Sequence, residues 1–464
     1  MRSLWTAKEA EAATGGRSTA DWQAKGVSID SRSLSPGDLF VALTDQRDGH
    51  DFVAKALASG AAAALVSYRP DNVPEGAPLL IVPDVMAALV AMGRAARVRS
   101  RARIVAITGS VGKTSTKEML RLCLASQGSV HVAEASYNNH WGVPLTLARL
   151  PQDIDFAVVE IGMNHPGEIA PLARMTRPHA ALITAVAPAH LAAFPSVEAI
   201  AQEKASIFQG LVQGGQAIVN ADLPTTPILV EAARLARVTL ASFGSSETAD
   251  WRLIRADMTD GATKVEATAN GRDLCFTLHS PGRHFALNAL GALASVAALG
   301  ADPFAARTAL ADWRPLDGRG SQERIDLGPG GAFVLINDAY NANPVSLAAA
   351  LDILIATIPA RQGRRIAILG DMLELGAQEM VLHAAVAGHP GLDTIARIHC
   401  VGPRMRALHD ALPNSQRGEW VAEAGELAAR ARTLVRAGDV VLVKGSNGSR
   451  VGLVVDALHE AGRA

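Results

Sequence analysis

The segment Thr108-Gly109-Ser110-Val111-Gly112-Lys113-Thr114-Ser115 constrains this chain more than any other. It follows an apolar β-type run, Ile104 to Thr108, and opens a helical pattern, TSTKEMLRLCL. A strand that turns through glycines into a helix belongs to parallel α/β architecture. The same geometry suits a phosphate. Glycines let backbone N–H groups curl around phosphate oxygens, and the helix N-terminus adds partial positive charge. Gly109, Ser110, Val111, Gly112 and Ser115 form that cradle. Lys113 can neutralise the charge of β- and γ-phosphates, and the Thr114 hydroxyl can ligate Mg²⁺. The usual pattern has a glycine six positions before the lysine; Ile107 stands there, so the loop is a variant. A plain glycine turn is the bland alternative, and the strand–loop–helix context argues against it.

The chain has 464 residues, which at about 150 residues per domain suggests three. Short β-type apolar runs alternate with longer helical patterns throughout, so the expected class is α/β with three domains. The expected divisions are 1–102, 103–314 and 315–464, with Arg94 to Arg103 read as a helix end and linker and Trp313-Arg314-Pro315 as a boundary. In the middle unit, strands are expected at Ile104–Thr108, Phe156–Ile161, Ala181–Val186 and Gln216–Asn220, with a closing helix over Ala286–Leu299. In the third they are expected at Val334–Asn337, Ile366–Leu369, Ile398–Val401 and Val440–Val443. Doubly wound sheets bind ligands beyond the carboxyl ends of their strands. Glu160, Asp338, Asp371 and Lys444 fall at those ends.

Charge and cysteine content narrow the function. Lys plus Arg is 44 and Asp plus Glu is 45, a balance that argues against a nucleic-acid coat or a polybasic membrane-surface protein. Three dispersed cysteines form neither a disulfide framework nor a thiolate zinc site, and fit a reducing compartment. The charged N-terminal stretch has no signal-type apolar core. The run Ala286 to Ala301 is too short to cross a bilayer and reads as a buried helix. The expected location is the cytoplasm.

Of the 44 basic residues only eight are lysines. Each lysine therefore raises the question why arginine would not serve. Lys204 lies in the helical pattern VEAIAQEKASIF; a solvated lysine is the default, but lysine can deprotonate and take up CO₂ as a carbamate, which arginine effectively cannot. Glu160 ends the strand FAVVE, where a carboxylate beside a phosphate loop can hold Mg²⁺; in isolation it is an ordinary solvated strand end. His190 follows the next strand, ALITAV, at the same edge, where a lone histidine is usually structural but a ligand role fits. Asp338, Tyr340, Asn341, Asn343 and Pro344 follow VLIN, and the Asx residues and Pro among them are common turn formers. Lys444-Gly445-Ser446-Asn447-Gly448 ends a strand in a turn that could bind an anion.

Together these segments resemble the Mur ligase family, and within it the MurF type, across essentially the whole chain. The resemblance is carried by the Thr108–Thr114 loop, by Asn138-Asn139-His140-Trp141-Gly142-Val143-Pro144, by Glu160 through Asn164, His165 and Glu168, and by Asp338 through Pro344. It implies a central P-loop ATPase-like sheet, flanked by an N-terminal nucleotide-sugar-binding domain and a C-terminal Rossmann-like domain that closes over ATP. It implies an ATP- and Mg²⁺-dependent ligase that adds D-alanyl-D-alanine to UDP-N-acetylmuramoyl-tripeptide through an acyl phosphate. Nucleic acid and membrane insertion are not expected, and a monomer is. By position, Ser31, Arg32, Asp48, Gly49 and His50 would contact the UDP moiety, and Asn138, Asn139 and Asn164 would orient the muramoyl peptide. Thr114, Glu160, His190 and a carbamylated Lys204 would be the metal positions. Lys113, Lys204, His190 and Asn138 would carry the catalysis. His284 and Asn288 would lie on the adenine side, and Arg319, Asp338 and Asn341 would close over ATP. Lys444 would serve the incoming dipeptide. Two departures stand out: Phe285 where many relatives carry Asn, and Asn447-Gly448-Ser449 ahead of Arg450 where many have Arg directly after the Ser. Rival readings are a MurE-type or folylpolyglutamate-type ligase, a P-loop regulatory ATPase, and a non-catalytic nucleotide-sugar-binding module.

Overall fold

The computed structural model describes residues 3–259, 261–360 and 362–462. Three large sheets follow one another along the chain. The first has five strands in the spatial order Arg17–Ser18, Leu79–Ile81, Ala63–Val66, Asp38–Val41 and Gly26–Ser28. All pairs are parallel except the first. A two-stranded ribbon, Trp5–Thr6 with Gln23–Ala24, packs beside it.

The central sheet has nine strands. Six pairings are parallel, from Val130–Val132 at one edge through Phe156–Glu160, Arg103–Thr108, Ala180–Ile183, Gln216–Asn220 and Thr239–Gly244 to Trp251–Thr259. Arg103–Thr108 lies between two strands that come later in the chain, so its carboxyl end opens at a topological switch point, where α/β sheets bind ligands. Its residues Ile104 to Thr108 are fully buried, as expected of a parallel strand covered on both faces. Helix Lys113–Ala125 covers one face together with helix Arg283–Ala298. The latter starts three residues earlier than expected and buries eleven of its sixteen residues.

The antiparallel strands Ala262–Ala269 and Arg272–Leu278 extend this sheet beyond Trp251–Thr259. They were not anticipated, although Ala262–Ala269 alternates buried and exposed residues, the mark of a strand wet on one face. The expected strand Ala181–Val186 ends instead at Ile183. Thr184 N still donates to Thr108 O at 3.0 Å; beyond it the backbone of Ala185 and Ala187 bonds the phosphate loop instead, as described below.

The third sheet has the order Ser321–Asp326, Ala332–Asp338, Val440–Lys444, Arg365–Gly370, Arg397–Val401 and Arg417–Val421. Only its first pairing is antiparallel. The carboxyl ends of Ala332–Asp338 and Val440–Lys444 face the central sheet's phosphate loop across a shared cleft. Among the described residues no helix is long and apolar enough to cross a membrane.

Candidate active site

The phosphate loop is held from behind by the neighbouring strand end. Thr184 Oγ1 donates to Val111 O at 2.6 Å, Ser110 N donates to Ala185 O at 2.8 Å, and Ala187 N donates to Ser110 Oγ at 3.0 Å. These bonds explain why that strand stops at Ile183. Gly112, at φ 83°, starts helix Lys113–Ala125. A Cβ there would lie 2.8 Å from Asn288 Oδ1, so only glycine suits both the backbone and the packing.

Lys113 folds over its loop and donates from Nζ to Gly109 O at 2.7 Å. Burial lowers its pKa; Glu160 opposes that shift and Arg319 adds to it. Lys113 and Arg319 thus lie close enough to repel each other beside the loop, an arrangement that an anionic ligand would relieve. Thr114 Oγ1 donates to Glu160 Oε2 at 3.0 Å, and Asn138 Nδ2 donates to Glu160 Oε1 at 2.7 Å. The loop, the strand end and the Asn138 segment thus meet on one buried carboxylate.

The third sheet completes the cleft. Arg319 stacks over the Tyr340 ring, 3.9 Å from its centroid, and donates to Ser136 Oγ at 3.2 Å. Ser136 Oγ lies 3.5 Å from Thr114 Oγ1. Lys444 is fully buried and donates to Asp338 Oδ2 at 2.6 Å and to Asn341 O at 2.9 Å. Burial raises the Asp338 pKa against the lowering effect of Lys444. The resulting cleft, about 480 Å³, brings together Lys113, Thr114, Glu160, Asn138, Asn164, His190, His284, Asn288, Arg319, Asp338 and Lys444.

The remaining expected residues divide. Asn139 Oδ1 accepts from Gly142 N at 2.9 Å and so shapes the turn into helix Gly142–Ala148 as well as lining the cleft. Asn164 is exposed on a loop tied down by Glu203, whose carboxylate accepts from Gly167 N and Ile169 N. Lys204 is fully buried, and among the described residues no carboxylate lies within ion-pair distance of it. Burial pushes its pKa well below the ordinary lysine value, and the Lys113 charge acts in the same direction. A neutral amine is the form that can react with CO₂. His284 is likewise driven to a pKa of about 4 by burial, with Lys444 contributing. Phe285 packs into the core edge-on to Trp313 at 4.8 Å, so the departure at this position fills the interior.

Ser31, Arg32, Asp48, Gly49 and His50 lie elsewhere, at the carboxyl edge of the first sheet. Arg32 pairs with Asp30 in an exposed turn. His50 is buried: Nδ1 contacts Asp48 Oδ1 at 2.6 Å, Nε2 accepts from Ser67 N at 2.9 Å, and Tyr68 stacks on the ring at 4.2 Å. Sequence reasoning passed over Thr184, Ser136, Glu203 and Glu374, which carry no local signal and are placed by topology; Tyr340 was named within its motif but given no role.

A phosphate loop at the switch point of a parallel sheet, walled by a second α/β unit, defines a nucleotide-binding α/β class. Family models match along the chain: "Mur ligase family, catalytic domain" over 23–119, "Mur ligase middle domain" over 107–296 and "Mur ligase, glutamate ligase domain" over 323–447. The Escherichia coli (strain K12) UDP-N-acetylmuramoyl-tripeptide–D-alanyl-D-alanine ligase is 37% identical over 96% of this chain and 95% of its own length. Its namesake in Bacillus subtilis (strain 168) is 32% identical over 94% and 93%. A crystal structure of MurF from Acinetobacter baumannii superposes with a TM-score of 0.84 at 28% identity, covering 98% of this chain and 99% of its own. MurF from Thermotoga maritima in complex with ADP gives 0.78 at 25% identity, over 94% and 98%. The chain belongs to the Mur ligase family.

Proposed function

We propose that this chain joins D-alanyl-D-alanine to the terminal carboxylate of UDP-N-acetylmuramoyl-tripeptide at the expense of ATP, acting as a cytoplasmic monomer divided at 1–102, 103–314 and 315–464. The observation that carries the reading is the shared cleft, where the phosphate loop of the central unit faces Arg319, Asp338 and Asn341 of the third. ATP bound there has its phosphates against one unit and is covered by the other, and relatives so named match it end to end.

A carboxylate cannot be attacked directly by an amine, because oxide is too poor a leaving group. Transfer of the γ-phosphoryl makes an acyl phosphate whose leaving group is phosphate. Lys113 and the loop N–H groups stabilise the charge that develops on the transferring group. Asn138 orients the peptide carboxylate beside Glu160, while Asn139 and Asn164 line its approach. His284 and Asn288 border the adenine end. Ser31, Arg32, Asp48, Gly49 and His50 receive the UDP end at the first sheet. Docking of the third unit excludes water, which would otherwise hydrolyse the activated acid. The amine of the dipeptide then attacks, with Lys444 near the incoming carboxylate.

The residues fit Mg²⁺. Thr114 Oγ1 and the Glu160 carboxylate offer hard oxygens 3.0 Å apart, and Mg²⁺ takes few protein oxygens and several from phosphate and water. Thr114 and Glu160 already converge, and His190 and a carbamylated Lys204 would complete the set. When bound, Mg²⁺ supplies neutralisation of phosphate charge.

The test is the mass of the nucleotide product. Incubation with ATP, Mg²⁺, the UDP-tripeptide and D-alanyl-D-alanine should yield the UDP-pentapeptide. A product carrying a single added amino acid, formed with a free amino acid in place of the dipeptide, would move the assignment to a MurE-type ligase.

A further inference from the structure

Glu374 belongs to the third unit, in the loop after strand Arg365–Gly370, yet its carboxylate ends on a residue of the central unit. Glu374 Oε2 lies 2.5 Å from His190 Nδ1. Both residues adopt left-handed backbone, His190 at φ 60° and Glu374 at φ 66°. Left-handed backbone is uncommon and costly outside glycine, and here two such residues meet. The backbones close in as well: Ala192 N donates to Glu374 O at 3.2 Å.

The rest of the Glu374 loop is tied to its own unit. Asp371 Oδ1 accepts from Met405 N at 2.8 Å, Met372 N donates to His383 Nε2 at 2.9 Å, and Leu373 N donates to Ser446 Oγ at 2.9 Å. Three consecutive anchors hold the loop in shape, and the fourth residue reaches out of it. The contact therefore does not arise from a slack loop falling against a neighbour.

An anionic oxygen this near a ring nitrogen requires a proton between them. The proton sits on Nδ1, so in the neutral ring Nε2 carries the lone pair. A carboxylate behind an imidazole fixes its tautomer and orientation and makes its other nitrogen a better metal ligand. His190 lines the cleft. We propose that Glu374 is a positioning residue that reaches across from the third unit and sets the His190 imidazole for the divalent cation. Cation binding at His190 is thereby completed only when the third unit is docked. The proposal rests on the assignment of His190 to the cation.

The experiment titrates Mn²⁺ into the full-length chain with a non-hydrolysable ATP analogue, read by electron paramagnetic resonance. It compares the parent, Glu374→Gln, Glu374→Ala, His190→Ala and the Glu374→Gln/His190→Ala pair. Loss of an outer-shell partner typically weakens metal affinity by roughly 10- to 100-fold. Both Glu374 variants should do so, and Glu374→Gln should add nothing once His190 is gone. In turnover, Glu374→Gln should raise the Mg²⁺ needed for half-maximal rate, and saturating Mg²⁺ should restore most of kcat. Parent-like Mn²⁺ affinity in both Glu374 variants, with a weakened His190→Ala, would overturn the proposal and leave the contact as packing. Unchanged affinity in His190→Ala would overturn the assignment of His190 itself, and the proposal with it.

Discussion

Replacing Gly109 with alanine tests how the phosphate loop is built. Gly109 has φ 156°, a conformation L side chains rarely adopt, and an added Cβ would overlap Thr184 Oγ1. The backbone strain costs about 1–3 kcal/mol. Thr184 must also rotate away from Val111 O, which it now contacts at 2.6 Å, at a net cost of about 1 kcal/mol. Together these come to about 2–4 kcal/mol. The loop faces the cleft and can relax locally, so the loss should appear in nucleotide affinity more than in melting temperature. At about 1.4 kcal/mol per tenfold, ATP should bind ~30- to ~1000-fold more weakly. Isothermal titration with ATP, alongside thermal unfolding, measures both. Thr184→Ala alone should weaken binding modestly. Added to Gly109→Ala, it should recover part of the affinity, because the overlapping atom is gone. Affinity within threefold of the parent for Gly109→Ala, or strictly additive losses in the pair, would refute this reasoning.

Other outcomes follow from the same geometry. Lys113→Ala should abolish phosphate release while leaving binding of the UDP-peptide to the first unit intact, as equilibrium binding of the labelled nucleotide would report. Lys204→Arg should lose most activity, since arginine cannot form a carbamate, and bicarbonate should raise the rate of a CO₂-stripped parent but not of this variant. His399 is buried, and burial depresses its pKa from the ordinary 6.5 to about 4. The unfolded chain therefore takes up this proton first, and stability present above pH 6.5 falls as pH drops toward 4. His399→Gln should flatten the melting temperature against pH in that window. Small-angle scattering should show no expansion relative to the arrangement described here when an ATP analogue and the UDP-tripeptide are bound, because Arg319 already reaches Ser136.

What was legible in the sequence was whatever chemistry local spacing can encode. The loop from Gly109 to Thr114, the strand ending in Glu160, the buried helix around Asn288 and the strand ending in Lys444 all lie within three residues of where their patterns place them. Asn343 shows the opposite value of plain propensity: it caps helix Pro344–Ala356 in a capping box with Ser346, as its residue types favour. Contacts between distant segments were not legible. Thr184 was read as strand, because Ala-Leu-Ile-Thr-Ala-Val alternates no differently from its core; only the phosphate loop lying alongside ends the strand before it. Glu374 carried no signal in the sequence; only the third sheet sets it against His190. Lys204 announced itself only through lysine's rarity, and its full burial beside the Lys113 charge supplies the physical cause that composition lacked.

The central claim is that one cleft couples ATP to the joining of two particular substrates. The most direct test is phosphate release from ATP and Mg²⁺ with the UDP-tripeptide, with and without D-alanyl-D-alanine. The account predicts sustained release only when both are present, in step with pentapeptide formation. Sustained release without the tripeptide would contradict it, because the cleft would then be hydrolysing ATP with no carboxylate to activate.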